Sequence, residues 1–132
     1  MDRPAQQPHR KCPQRVLVAD DNRDGADSLV MMLSLYGYEA DAAYDGEQAV
    51  EKARSFEPDV VILDLDMPVM SGYEAARALK EADEPKPALV VALTAADTPE
   101  AREKAGEAGF DVHLTKPAEA GELVQLIEGA AK

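Results

Sequence analysis

A single cysteine, Cys12, leaves no partner for an internal disulfide in this 132-residue chain, and a reducing compartment is the simpler setting. No apolar run approaches the roughly 18 residues needed to span a bilayer. The N-terminus carries charges and prolines where a secretory signal needs an apolar stretch, so a cytoplasmic protein without a membrane partner is expected. Cations are scarce: 14 Lys and Arg face 26 Asp and Glu, a formal net charge of -12. Phosphate backbones and anionic lipids reward clustered Lys and Arg, so no nucleic-acid partner is expected from this balance. No internal repeat is present either.

What is present begins at Arg15. Residues 1–14 hold Pro4, Pro8 and Pro13, several glutamines and no apolar periodicity, and read as a disordered leader before a domain over 15–132. Short apolar runs then alternate with helical stripes. Val16 to Ala19, Val60 to Leu63 and Leu89 to Leu93 are continuous apolar segments, as expected of parallel strands covered on both faces. Glu39 to Tyr44 alternates polar and apolar residues and is placed at a sheet edge, and a fifth strand is expected around Asp111 to Leu114.

Helices are expected from about Asp24 to Tyr36, with Ala26, Leu29, Val30 and Leu33 inward and Gly37 as the stop, and from Asp45-Gly46 to the residues before Pro58. A third runs from Gly72 to about Glu81, a fourth opens at Thr98-Pro99-Glu100, and the last starts near Glu119. The fourth presents only alanines inward (Ala101, Ala105, Ala108) and contains Gly106, so it should be the least firmly packed. Five strands alternating with five helices predict an α/β fold, a flavodoxin-like doubly wound parallel sheet of order 2-1-3-4-5. The first and third strands are then neighbours at the switch point.

That topology gathers chemistry at the carboxyl ends of the strands. Asp20 and Asp21 follow the first strand, Asp64 the third, Thr94 the fourth, and Lys116 the fifth. Three carboxylates in one place repel and need positive charge; Mg²⁺, a hard ion that takes oxygen ligands and shares substrate phosphates, suits them. With Lys116 the charges sum to zero, so an arriving phosphoryl group meets no net repulsion, and Asp64 can act as a nucleophile. Each mark alone has a plain structural reading: Asp20-Asp21-Asn22 as a helix cap, Asp64 as a turn residue, Thr94 as a backbone-bonding hydroxyl, Lys116 as a surface lysine and His113 as a packed ring.

Taken together, the acidic pair Asp20-Asp21, Asp64 followed by Met67-Pro68-Val69-Met70-Ser71-Gly72, Thr94-Ala95 and Lys116-Pro117 resemble the receiver domains of bacterial two-component response regulators. The likeness covers about Arg15 to the C-terminus, and residues 109–117 resemble receivers fused to hybrid histidine kinases as much as stand-alone ones. It implies that Asp64 accepts a phosphoryl group from a sensor histidine kinase or a histidine phosphotransfer protein. It also implies that Asp21 and Asp64 bind Mg²⁺ directly, Asp20 through water, and that the backbone carbonyl of Asp66 completes the protein ligands. Lys116 and Thr94-Ala95 would contact the phosphoryl group, the Lys116–Pro117 bond would be cis, and the ring at position 113 would turn inward. Output would pass through the fourth helix, fifth strand and fifth helix to a downstream protein, from a monomer or weak dimer.

Two residues depart from the pattern. His113 stands where relatives more often carry Tyr or Phe, and Asp66 adds a carboxylate two residues past the acceptor, where it is expected to alter the phosphoryl lifetime. Ser71 replaces a common Asp, with little consequence expected. Asp64-Leu65-Asp66 also resembles the Asp-x-Asp of haloacid-dehalogenase-like phosphatases, but those place the acidic pair last whereas Asp20-Asp21 comes first here. A receiver-like interaction module that is never phosphorylated is the third reading. The protein is expected to be a switch rather than an enzyme, its chemistry confined to its own acceptor. Since the chain ends at Lys132, just after the fifth helix, no attached DNA-binding effector is expected.

Overall fold

Apolar strand residues and amphipathic helices find their partners in a three-layer α/β arrangement. The computed structural model describes residues 15–65, 67, 70–81, 87, 89–95, 98–116 and 120–130. The leader assigned to residues 1–14 lies outside them. The described residues form, in order, β1 (Arg15–Ala19), α1 (Arg23–Leu35), β2 (Glu39–Ala43), α2 (Gly46–Phe56), β3 (Val60–Asp64), α3 (Gly72–Glu81), β4 (Leu89–Thr94), α4 (Pro99–Ala108), β5 (Val112–Thr115) and α5 (Ala120–Ala130). All pairings are parallel and the sheet order is β2-β1-β3-β4-β5, as the doubly wound pattern predicts.

Side chains alternate across the sheet and feed two cores. Leu17, Ala19, Val61, Leu63, Val90 and Ala92 pack beneath α2, α3 and α4, while Val16, Val18, Val60, Ile62, Val91 and Leu93 pack beneath α1 and α5. β3 and β4 are buried along their whole length, which explains their uninterrupted apolar sequence. β2 differs from simple alternation: Ala42 and Ala43 are both buried, because at this end the edge strand has a core on each side. α1 turns Ala26 and Leu33 fully inward and Leu29 and Val30 partly so, which leaves Met31, Met32, Leu35 and Tyr36 exposed. The sequence pattern puts Leu123, Leu126, Ile127 and Ala130 on the inward face of α5; Leu123 and Ile127 are buried there, Val124 joins them, and Leu126 is only half-buried. No helix among the described residues is long and apolar enough to cross a membrane.

Two glycines bring α2 and α3 close to the carboxyl end of β3. A Cβ on Gly72 would overlap the Asp64 carbonyl oxygen and lie 2.9 Å from the Leu65 Cα, and one on Gly46 would overlap the Met70 carbonyl. The Gly72 N–H instead donates to the Leu65 carbonyl at 3.2 Å. Residues with side chains at these two positions would push the β3–α3 connection outward.

Candidate functional site

β1 hands its chain to α1 through a turn held by Asp20 and Asn22. The Asp20 N–H donates to the Ala43 carbonyl at 3.0 Å, extending the sheet pairing by one step. The Asp20 Oδ1 accepts from the Asn22 N–H at 3.0 Å, and the Asn22 Oδ1 accepts from the Gly25 N–H at 3.1 Å. Asn22 is therefore the N-cap of α1, and Asp20 and Asp21 are free of that task. Asp20 is buried and Asp21 exposed.

Asp64 is the last residue of β3 and keeps only 3% of its surface. β1 lies on one side of it and β4 on the other, with Leu63 opposite Ala19 and Asp64 opposite Leu93. Carboxylate oxygens of Asp20, Asp21 and Asp64 all lie within 4.8 Å of one another. At an effective dielectric near 20, each such pair of unit charges repels by about 3 to 4 kcal/mol.

Lys116 opposes this charge. Its N–H donates to the Thr94 carbonyl at 2.8 Å, which fixes the residue at the end of β5, and its Nζ stands 3.0 Å from Asp64 Oδ2 and 3.3 Å from Asp20 Oδ2. Burial pulls the ammonium's pKa down, but the hydrogen bonds and charges of Asp64 and Asp20 outweigh it, and the group stands above the ordinary lysine range. Three carboxylates against one ammonium leave two negative charges, which match a divalent cation. The donors are hard oxygens with partly buried walls, the set that Mg²⁺ takes.

Thr94 is buried at the end of β4 and Ala95 beyond it is exposed. On β5, His113 pairs with Ala92. Both of its ring nitrogens are buried without a hydrogen-bond partner among the described residues, a situation that costs about 1–3 kcal/mol per group. The structure thus brings Asp20, Asp21, Asp64 and Lys116 together. Asp66 and Pro117, and with them the expected carbonyl ligand and cis bond, lie outside the described residues.

Three features of the rim escaped the sequence. Ser71 and Glu74 form a reciprocal capping box for α3, the Ser71 N–H donating to Glu74 Oε1 at 3.0 Å and the Glu74 N–H to Ser71 Oγ at 3.3 Å. Its Ser-x-x-Glu spacing is the local signal for it. Tyr44, one residue past β2, donates its hydroxyl to Asp27 Oδ1 at 2.6 Å and carries the Arg23 guanidinium 4.1 Å above its ring. The hydrogen bond to Asp27, with partial burial and the charge of that carboxylate, raises the Tyr44 pKa. The third feature, the glycine-mediated approach of α2 and α3, joins residues distant in sequence and has no local signal.

Comparison with known proteins places this geometry. The family model for the response regulator receiver domain matches residues 16–128. The response regulator MprA of Mycolicibacterium vanbaalenii is 40% identical over 112 residues, covering 85% of this chain and 48% of that protein. The transcriptional regulatory protein PrrA of Mycobacterium leprae is 39% identical over 114 residues, covering 86% and 48%. Among solved structures, the receiver domain of sensor histidine kinase PA1611 from Pseudomonas aeruginosa, with a magnesium ion coordinated in its active site cleft, is 30% identical. It superposes with a TM-score of 0.80 over 89% of this chain and 97% of that one. The chain spans about half the length of the curated relatives it matches. With a transcriptional regulator among these, the expected absence of nucleic acid does not extend to a longer polypeptide, and the position of Lys132 says nothing about an effector.

Proposed function

Because the chain belongs to the response regulator receiver domain family, we propose that it is a phosphorylation-dependent switch whose acceptor is Asp64. The donor is a phosphohistidine on a sensor histidine kinase or a histidine phosphotransfer protein. An Asp64 carboxylate oxygen attacks phosphorus, a P–O bond forms as the P–N bond breaks, and the imidazole leaves as the proton-bearing neutral base. Asp21 and Asp64 would hold Mg²⁺ directly, Asp20 through water, with the Asp66 carbonyl; bound there, the ion supplies charge neutralisation for the phosphoryl oxygens. Lys116 holds one phosphoryl oxygen, and the hydroxyl of Thr94 turns to donate to another. Output is a population shift of the surface formed by α4, β5 and α5, read by a downstream protein.

One observation carries this reading: a buried strand-end carboxylate, Asp64, lies 3.0 Å from the Lys116 ammonium and within 4.8 Å of two further carboxylates. The test is labelling by acetyl phosphate. The chain should gain one acid-labile phosphate only with Mg²⁺ present, and Asp64→Ala should gain none. A Mg²⁺-loaded chain that stays unlabelled by acetyl phosphate and by phosphorylated kinases would overturn the proposal. Steady turnover of p-nitrophenyl phosphate would replace it with the phosphatase.

A further inference from the structure

The second half of α1 is apolar on both of its faces. Leu33 is buried against the sheet with Leu29 and Val30 partly so, while Leu35 is 77%, Met31 64%, Tyr36 53% and Met32 45% exposed. Among the described residues these four are the large hydrophobic side chains that stand exposed, and all belong to α1 and its C-cap. A helix that is apolar all round is ordinarily covered all round. Positions i, i+1, i+4 and i+5 line up along the helix, so the four side chains form one stripe rather than scattered points. It measures on the order of 400 Å², the size at which exposed apolar surface marks an interaction site.

Charge narrows the occupant. From Ser28 to Tyr38 there is no charged side chain, in a chain of which 30% is charged. The Ser34 hydroxyl donates to the Val30 carbonyl at 2.9 Å and is thereby satisfied within the helix. A foreign partner is selected and oriented by complementary charges, which this stripe does not offer. Interfaces between identical chains are the more apolar class. Two copies of this chain, each at a formal -12, repel one another, and a stretch without carboxylates is where they close at least cost.

We propose that α1 pairs with α1 of a second copy, about a two-fold axis that sets each stripe against the other. Two stripes with their rims bury about 1,000 Å², the floor for a specific interface, so the dimer is weak and half-formed at about 0.1 mM. α1 begins at Arg23 beside the acidic pair and carries Leu35 about 18 Å along its axis, at 1.5 Å per residue. The contact therefore leaves the Asp64 pocket open and forms whether or not Asp64 is loaded. It stands apart from the assignment of the acceptor.

Sedimentation equilibrium of the full chain from about 10 μM to 1 mM should show the mass rising from one chain towards two. The rise should be the same with and without Mg²⁺ and beryllium fluoride as phosphoryl mimic. Raising NaCl from about 0.05 to 0.5 M should strengthen association by screening two like-charged bodies, whereas a charge-steered contact weakens. Methionine methyl ¹³C spectra locate the contact: of the five methionines, Met31 and Met32 should shift with concentration, and Met67 and Met70 should not. Leu35→Glu places a carboxylate in the stripe of each copy and should weaken association about tenfold or more. A chain that stays single at about 1 mM overturns the proposal, as do unmoved Met31 and Met32 signals in a chain that does associate. Association only after loading overturns it too, by placing the contact on another face. So does a single chain whose Leu35→Glu form accepts phosphoryl groups from a histidine kinase more slowly, since the stripe then belongs to the donor. The mass and spectra of the unaltered chain decide the matter even if Leu35→Glu fails to fold.

Discussion

The helices on the two faces of the sheet are built from side chains of different size. α1 and α5 bury Leu33, Leu123, Val124 and Ile127, whereas α2 and α4 bury Ala49, Ala53, Ala105 and Ala108, and α3 adds Ala75 and Ala76 to a single Leu79. At roughly 25 cal/mol per Å² of apolar surface removed from water, a branched aliphatic side chain contributes several times what an alanine does. The α1/α5 face is therefore an anchor. On the opposite face the helices sit close but bury little of their own, and α4 buries least among them. Thr94 and His113, the residues proposed to respond to loading of Asp64, lie on that lightly held face. Elements that switch are drawn from the low-stability end of a fold, and the asymmetry supplies such an end without loosening the acidic pocket.

The largest effect should come from the anchor. Leu123→Ala removes a fully buried side chain and should cost about 2–5 kcal/mol in urea unfolding, a typical cavity penalty. A loss under about 1 kcal/mol would mean that the two faces are not energetically distinct. Next comes Gly72→Ala, whose new Cβ meets the Asp64 and Leu65 backbone; about 1–3 kcal/mol of destabilisation is expected, together with weaker Mg²⁺ binding by calorimetry. Ala105→Gly in α4 should cost only about 1 kcal/mol, and α4 amides should exchange with solvent faster than those of α5 even in the unaltered chain. Equal protection in α4 and α5 would remove the argument for a mobile fourth helix. Ser71→Ala breaks the capping box of α3 and should likewise cost about 1 kcal/mol, with Ser71→Asp near neutral because aspartate caps as well.

The smallest effect concerns Tyr44. Its pKa is raised chiefly by the hydrogen bond to Asp27, so Asp27→Asn should bring the phenol down toward the ordinary value near 10, followed by ring carbon shifts during an alkaline titration. A phenol whose folded pKa exceeds its unfolded one contributes stability that is complete below the unfolded value and lost as pH rises through the folded one. The contribution is therefore full at neutral pH and fades only in alkali.

Much of this was readable from residue order. Val60-Val61-Ile62-Leu63 can satisfy its apolar surface only as a strand covered on both faces, and the rules of right-handed crossover then leave β1 beside β3. Asp20 and Asp64 follow their strands directly, so their arrival at one rim is a consequence of topology. The alanine stripe of α4 also announced its thin packing. The Arg23–Tyr44–Asp27 contact did not announce itself, because it depends on the angle at which α1 crosses the end of β2. Likewise, β2's paired burial of Ala42 and Ala43 arises from layers above and below, which a period-two pattern cannot register.

Sequence alone determined the class of fold, the strand order and which acids and which lysine stand at strand ends, since periodicity and chain connectivity are local or combinatorial properties. Only the tertiary structure decided the distances: that Lys116 reaches both Asp64 and Asp20, that Gly46 and Gly72 are where neighbouring backbone passes, and that the His113 nitrogens find no partner among the described residues. Those outcomes are set by how elements far apart in the chain approach one another in space, and close packing settles that to within a fraction of an ångström only once every layer is in place.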